Sequence, residues 1–246
     1  MTDRTTQYAD LVLSGRRLAG RKEMLAMQRF KEDVERSKQK DFPYVFDTRR
    51  AEEHIGIANM LTISEGTEAK RPKTMGFQGV IIGNPHGWVH KETGERRFRE
   101  AYIQLGRQNG KSFLSGVTIT DFANFSGYKL GRIYCAATKQ DQANIVWDEV
   151  AKFIRADKDL AELHDIREYS RTIKSLATGT VIKSLGRDTK SVDGFRSILS
   201  VIDEYHAHPT NQMYKLLMDG QINVDGALTL AITTAGFNLQ GPCYEQ

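Results

Sequence analysis

A chain of 246 residues, 39% apolar and 27% charged, is long enough to bury one large core or two small ones and has the balance of a soluble globular protein. A net charge of +4 with a pI near 9.0 permits contact with nucleic acid without requiring it. Cys135 and Cys243 stand far apart with no C-x-x-C, which argues against a zinc site or a disulfide framework and agrees with a reducing compartment; the first residues are not laid out as a signal peptide, and no apolar run approaches the roughly 18 residues of a membrane span.

Residues 1–50 carry 12 Lys/Arg against 8 Asp/Glu. Leu11, Leu18, Leu25, Phe30 and Val34 fall at helical spacings there, so the pattern predicts one or two amphipathic helices. Phe42-Pro43 marks a break. Residues 51–63 are again predicted helical, with Ile55, Ala58 and Leu61 on one side. Residues 64–76 read as a loop or linker. Residues 77–82 read as a strand or a short helix, six residues being too few to decide. Asn84-Pro85-His86-Gly87 has turn chemistry. Residues 88–99 read as two extended pieces about Glu92-Thr93-Gly94. Residues 70–99 hold seven Lys/Arg and two acidic residues, either a solvated face or a surface that meets phosphates.

Residues 101–105 read as a buried strand and residues 113–125 as a helix stopped at Ser126-Gly127. Residues 132–137 form a second predicted buried strand. Thr138, with Asp141 three residues on, is placed as the N-cap of the strongest amphipathic helix, whose apolar side is Ala143, Val146, Trp147, Val150 and Ile154. Residues 171–176 and 180–185 alternate about Ala177-Thr178-Gly179, a hairpin pattern. After a polar loop, residues 198–202 form a third buried strand that ends on Asp203-Glu204. A helix follows near 211–219, then a fourth strand over 227–234 that ends on Ala235-Gly236. Strands separated by helices imply a mainly parallel sheet in an α/β fold, with ligands bound beyond the carboxyl ends of the strands.

Those strand ends carry the chemistry. Gly106-Arg107-Gln108-Asn109-Gly110-Lys111-Ser112 lies between a strand and a helix, the context of a phosphate-binding loop. Its backbone N–H groups and the helix N-terminus favour an anion. Lys111 would add a charge for the β- and γ-phosphates, and the Ser112 hydroxyl would ligate Mg²⁺. The pattern G-x-x-x-x-G-K-[ST] is incomplete, because Leu105 occupies the first glycine position and Gly106 comes one residue late. An ordinary helix start is the plain alternative. Asp203-Glu204 has the form of a Walker B pair: Asp203 would hold Mg²⁺ and Glu204 would orient and deprotonate the water. A strand ending on two solvated acids is its alternative. Thr234 could sense the γ-phosphate or simply end a strand. Arg107 reads as a charge stabiliser or a turn cap. Arg187 and Arg196 are candidate fingers toward a neighbouring subunit's nucleotide. His206 and His208 lack partners at zinc-ligand spacing and read as surface or hydrogen-bonding residues.

Taken together, these segments resemble the large terminase subunit of tailed bacteriophages, an ATPase that packages viral DNA. The segments are Phe77-Gln78, Gly94-Glu95-Arg96-Arg97-Phe98-Arg99-Glu100-Ala101, Arg107-Gln108-Asn109-Gly110-Lys111-Ser112, Val192-Asp193-Gly194, Asp203-Glu204-Tyr205-His206-Ala207-His208 and Thr233-Thr234-Ala235-Gly236. The resemblance spans roughly residues 60–240. It implies a P-loop NTPase of the additional-strand catalytic-glutamate type, with a mainly parallel sheet flanked by helices, a helical N-terminal extension over 1–62, an ATPase core over 63–246 and a β-hairpin insertion. In such enzymes the Walker A and Walker B strands flank the strand of the coupling motif, here residues 233–236.

The same resemblance implies that Gln78 recognises adenine and that Gly106, Arg107, Gln108, Asn109, Gly110, Lys111, Ser112, Phe113 and Thr234 surround ATP. Ser112 and Asp203 would hold Mg²⁺, and Glu204, Arg107, Lys111, Arg187 and Arg196 would serve catalysis. The implied partners are double-stranded viral DNA, a portal protein, a small terminase subunit and further copies in a ring on the portal, in the host cytoplasm during virion assembly, with no membrane. Phe77 stands where the family usually has Trp. Family members also carry a C-terminal nuclease domain, and residues after the coupling motif hold no cluster of carboxylates. The expectation is therefore an isolated ATPase domain, a truncation or a proteolytic product, that does not cut DNA. Two other readings stand beside this one: a D-E-x-H helicase, and a non-catalytic DNA-binding module that uses residues 70–99.

Overall fold

The computed structural model describes residues 3–65, 68–186 and 196–245. In chain order the elements are α1 (Arg4–Leu13), α2 (Arg21–Arg36), β1 (Tyr44–Phe46), α3 (Thr48–Met60), β2 (Ile63–Glu65), β3 (Glu68–Lys70), α4 (Gly76–Gly87), β4 (Trp88–His90), β5 (Glu100–Gln104) and α5 (Lys111–Phe125). They continue with β6 (Arg132–Ala136), α6 (Gln140–Ala156), α7 (Lys158–Glu162), β7 (His164–Arg167), β8 (Thr172–Ser175), β9 (Val181–Leu185), β10 (Leu199–Asp203), a 3₁₀ turn (Tyr205–Ala207), α8 (Gln212–Asp219), β11 (Leu228–Thr233) and α9 (Pro242–Glu245). The chain divides into two compact units, residues 1–59 with 73–98, and residues 60–72 with 99–246.

Residues 77–82, read as a strand or a short helix, are helical and form part of α4. This helix packs on α1 within the first unit, and β4 pairs antiparallel with β1. Gly83 and Gly87 allow the close approach: a Cβ on Gly83 would lie 2.3 Å from Thr5 Oγ1, and one on Gly87 2.4 Å from Phe46. The predicted turn at Asn84-Pro85-His86-Gly87 is the last turn of α4, with Pro85 inside it. The predicted α2 stripe also shifts. Leu18 and Leu25 are exposed, whereas Met27 and Phe30 join Tyr8, Ala9, Val12, Phe42, Phe46 and Trp88 in the core.

In the basic run Arg96, Arg97 and Arg99 have structural partners, while Lys70, Arg71, Lys73 and Lys91 are exposed. Arg97 ion-pairs with buried Asp33 at 2.8 Å and lies over the rings of Phe42, Tyr44, Trp88 and Phe98. Arg96 donates to the Pro85 carbonyl at 2.7 Å. In the second unit Arg99 donates to the Gln221 and Val224 carbonyls. Arginines tied to aromatic faces and backbone carbonyls hold the fold together, and this weakens the reading of 70–99 as a phosphate-meeting surface.

The second unit is built on a seven-stranded sheet in the order β5-β11-β10-β6-β9-β8-β7. The pairs β5–β11, β11–β10, β10–β6 and β6–β9 are parallel, and β9–β8 and β8–β7 are antiparallel. The predicted hairpin is present as β8 and β9. Through β9 it joins β6 and extends the sheet, and β7, which the pattern did not show, adds a further strand. The central strands are buried on both faces, as continuous apolar runs require. Strand β5 was predicted buried but is only half-buried, because it lies at the sheet edge. Helices α5 and α6 cover one face. Gly116 makes their contact close, since a Cβ there would meet Phe153 at 2.9 Å. Trp147, Val146, Val150 and Ile154 of α6 are buried as the spacing predicts. Thr138 does not cap this helix, because the N-cap position falls to Lys139, and the Thr138 hydroxyl donates instead to Gln142 at 2.8 Å.

Candidate nucleotide site

Parallel register brings three strand ends to one edge. Gln104, the last residue of β5, pairs with Thr233, and Asp203, the last of β10, pairs with Ile232. Leu105 N–H continues the ladder by donating to the Thr233 carbonyl at 2.9 Å. The loop after β5, the carboxylates at the end of β10 and Thr233-Thr234 at the end of β11 thus share the carboxyl edge of the sheet. Strand β11 lies between the other two strands, as the resemblance implies.

The loop is shaped by two left-handed residues, Gln108 at φ 62° and Gly110 at φ 76°. The Asn109 amide donates to the Arg107 carbonyl at 3.0 Å and to the Gly106 carbonyl at 3.3 Å, tying the turn to itself. Arg107, Gln108 and Asn109 are exposed. The first helical hydrogen bond runs from Leu114 N–H to the Gly110 carbonyl at 2.9 Å, so the N–H groups of Lys111, Ser112 and Phe113 lie in the open first turn of α5. That turn favours an anion. The Phe113 ring packs edge-on against Phe153, with centroids 5.9 Å apart, so its side chain anchors α5 to α6.

Lys111 Nζ lies 3.3 Å from Glu204 Oε1. Glu204 has a left-handed backbone, φ 48° and ψ 47°, an uncommon conformation for a residue with a side chain. Its other oxygen, Oε2, lies 3.0 Å from His206 Nδ1 and accepts from the Thr234 hydroxyl at 3.3 Å. Asp203 is buried, and its Oδ1 accepts from Glu204 N–H at 2.9 Å. Burial raises the Asp203 pKa to about 6; the Glu204 charge adds to this, while the Glu204 N–H and Lys111 oppose it. Burial, with Asp203 beside it, pushes the Cys135 thiol up. Burial holds His208 below the ordinary imidazole value, against a hydrogen bond to the Asp203 backbone.

Three further predicted site residues are Gln78, Arg187 and Arg196. Gln78 is the third residue of α4, in the first unit, and its Oε1 accepts from Met75 N–H at 2.9 Å as a helix cap. Arg187 lies outside the described residues. Arg196 is exposed and precedes β10 at its amino end. The reading of the residues left His206 with a hydrogen-bonding or surface role. The structure makes it a partner of both Glu204 and Thr233, and Thr233 itself is fully buried. The one signal available was the proximity of His206 in sequence to the carboxylate pair.

A loop lysine after one parallel strand, a carboxylate pair two strands away and a polar strand end between them are arranged as in a P-loop NTPase-like fold. A model of the terminase large subunit ATPase domain matches residues 76–246, and the chain belongs to that family. That family is one of ATPase domains, which implies nucleotide binding and ATP hydrolysis.

The chain is 43% identical over 54 residues to protein YmfN of Escherichia coli K12, a match covering 22% of this chain and 12% of that protein. It is 24% identical over 145 residues to the terminase large subunit of Lactococcus phage p2, covering 58% of this chain and 27% of the relative. The chain thus spans about a quarter or less of the length of these relatives. The crystal structure of the HK97 bacteriophage large terminase superimposes with a TM-score of 0.65 at 20% identity, over 75% of this chain and 37% of that one, which shows a shared fold.

Proposed function

We propose that this chain is the ATPase motor of a phage genome-packaging enzyme, hydrolysing ATP with Mg²⁺ to drive double-stranded DNA into a procapsid. Its working partners in this reading are the portal protein, the small terminase subunit and further copies of itself in a ring, in the host cytoplasm. The observation that carries the reading is the pairing of Lys111 with Glu204 at the carboxyl edge of the sheet, 3.3 Å apart. A phosphate-binding lysine and a water-orienting carboxylate belong within reach of the same γ-phosphate.

The donor set suits Mg²⁺. Asp203 is a buried carboxylate whose ionisation is disfavoured by burial, so a cation beside it would be favourable, and the Ser112 hydroxyl stands in the first turn of α5. Bound there, the ion would neutralise charge on the β- and γ-oxygens. Lys111 and the first-turn N–H groups would hold the phosphates. Glu204 would hold the attacking water and accept its proton, and Arg107 would supply positive charge from the loop. Thr234, on Glu204 Oε2, stands where the strand end could sense the state of the site. An arginine from a neighbouring subunit, Arg187 or Arg196, would complete the charge around the phosphates.

The test is Mg²⁺-dependent ATP turnover with two variants. Glu204→Gln should bind ATP with near wild-type affinity and lose turnover by about 100-fold or more. Lys111→Ala should weaken ATP binding itself, by about 10- to 100-fold. Wild-type turnover by Glu204→Gln would overturn the assignment. Strand separation on a forked duplex would favour a helicase instead.

A further inference from the structure

The hydrogen bonds at the edge of the sheet give His206 a defined task. Thr233 Oγ1 has one proton and two lone pairs. The proton goes to the Thr234 carbonyl at 2.9 Å. One lone pair takes His206 N–H at 3.0 Å, and the other faces His206 Nδ1 at 2.9 Å. The same Nδ1 lies 3.0 Å from Glu204 Oε2, and a carboxylate oxygen only accepts, so Nδ1 carries the hydrogen. Glu204 is held at both oxygens, by Lys111 on Oε1 and by His206 with Thr234 on Oε2. A left-handed backbone at Glu204 aims its side chain into this clamp. Gly236 leaves room for His206, because a Cβ there would lie 2.8 Å from the His206 Cβ.

We propose that His206 is a positioning residue that fixes the Glu204 carboxylate to the end of β11 through Thr233. The inference rests on the reading of Glu204 as the water-orienting base. Lys111 lies 3.3 Å from Oε1. When Lys111 turns to a phosphate, Oε1 becomes available to water while His206 and Thr234 keep Oε2 in place. The carboxylate is then pre-aimed, and its aim depends on the position of residues 233–236. A shift of that strand end moves the base, and this gives a physical route between hydrolysis and movement.

The test measures steady-state ATP turnover and, separately, equilibrium ATP binding for wild type, His206→Ala, His206→Asn, Thr233→Val and Gly236→Ala. His206→Ala should lower kcat by about 10- to 100-fold with KM and ATP affinity within about twofold, as expected for a misplaced base. His206→Asn, whose amide donor stands where Nδ1 stood, should recover a large part of kcat. Thr233→Val and Gly236→Ala should fall between them. Thermal unfolding identifies any variant that fails to fold, and His206→Asn carries the test in that event. If Glu204→Gln is inactive while His206→Ala turns over normally, the positioning role is wrong and the function stands. If Glu204→Gln is fully active, the function reading is wrong. A drop in His206→Ala that appears in ATP affinity rather than kcat, or that Asn does not relieve, would also overturn the positioning role.

Discussion

Replacing Asp203 by Asn should stabilise the metal-free protein above about pH 6 and remove its Mg²⁺-dependent turnover. The carboxyl is 6% exposed, and its pKa is raised from the ordinary 3.8 to about 6. A shift of that size means that ionising Asp203 in the folded state costs roughly 3 kcal/mol more than in the unfolded chain. The folded pKa lies above the unfolded one, so the native state holds the extra proton between about pH 4 and pH 6. Wild-type stability therefore falls as pH rises through that window, and the full cost stands above it. Asn keeps an acceptor for Glu204 N–H, which donates to Asp203 at 2.9 Å, but it gives up the attraction of Lys111. The expected net gain is about 1–2 kcal/mol near pH 8 and close to zero near pH 4, or about 2–8 °C in Tm for a chain of this size. Urea denaturation in EDTA at both pH values measures it. Adding Mg²⁺ with nucleotide should stabilise the wild type more than the variant. A variant no more stable than wild type at about pH 8, or equally stabilised at both pH values, would refute the argument that burial makes this carboxylate costly.

Two further outcomes follow from the geometry. Gly110→Ala places a side chain at φ 76°, and the left-handed region costs an L-residue about 1–2 kcal/mol, so denaturant unfolding should report a loss of that order with weakened ATP binding beside it. Cys135 is fully buried and its thiol is pushed up, whereas Cys243 is only partly buried, so a thiol reagent should label Cys243 in the native protein and reach Cys135 only on unfolding. Rapid labelling of both in native buffer would contradict the buried position of β6.

Strong periodicity was legible in the sequence. The α6 stripe of Val146, Trp147, Val150 and Ile154 and the alternating hairpin at 171–185 follow from spacing, because each pattern fits one element type, and the apolar runs read as strands are β6, β10 and β11. Residues 77–82 were not legible, since a short apolar run is compatible with either period; packing on α1 and the Gln78 cap settled it as helix. Within residues 70–99 composition does not distinguish exposed Lys70, Arg71 and Lys73 from Arg97, which lies among aromatic rings.

The same division runs through the site. The sequence by itself determined the chemical inventory: a glycine-bearing loop with Lys111 and Ser112, the acids Asp203-Glu204, and the threonines at 233–234, each at the end of an apolar run. Local covalent order fixes these, since each group lies within a few residues of its strand. Only the tertiary structure decided that β11 lies between β5 and β10, because strand order depends on long-range pairing that no local pattern encodes. That order brings Lys111 to Glu204 and sets His206 against Thr233, contacts between residues 93 and 27 positions apart in the chain. It also buries Asp203 between neighbouring strands, and this burial is what shifts its pKa.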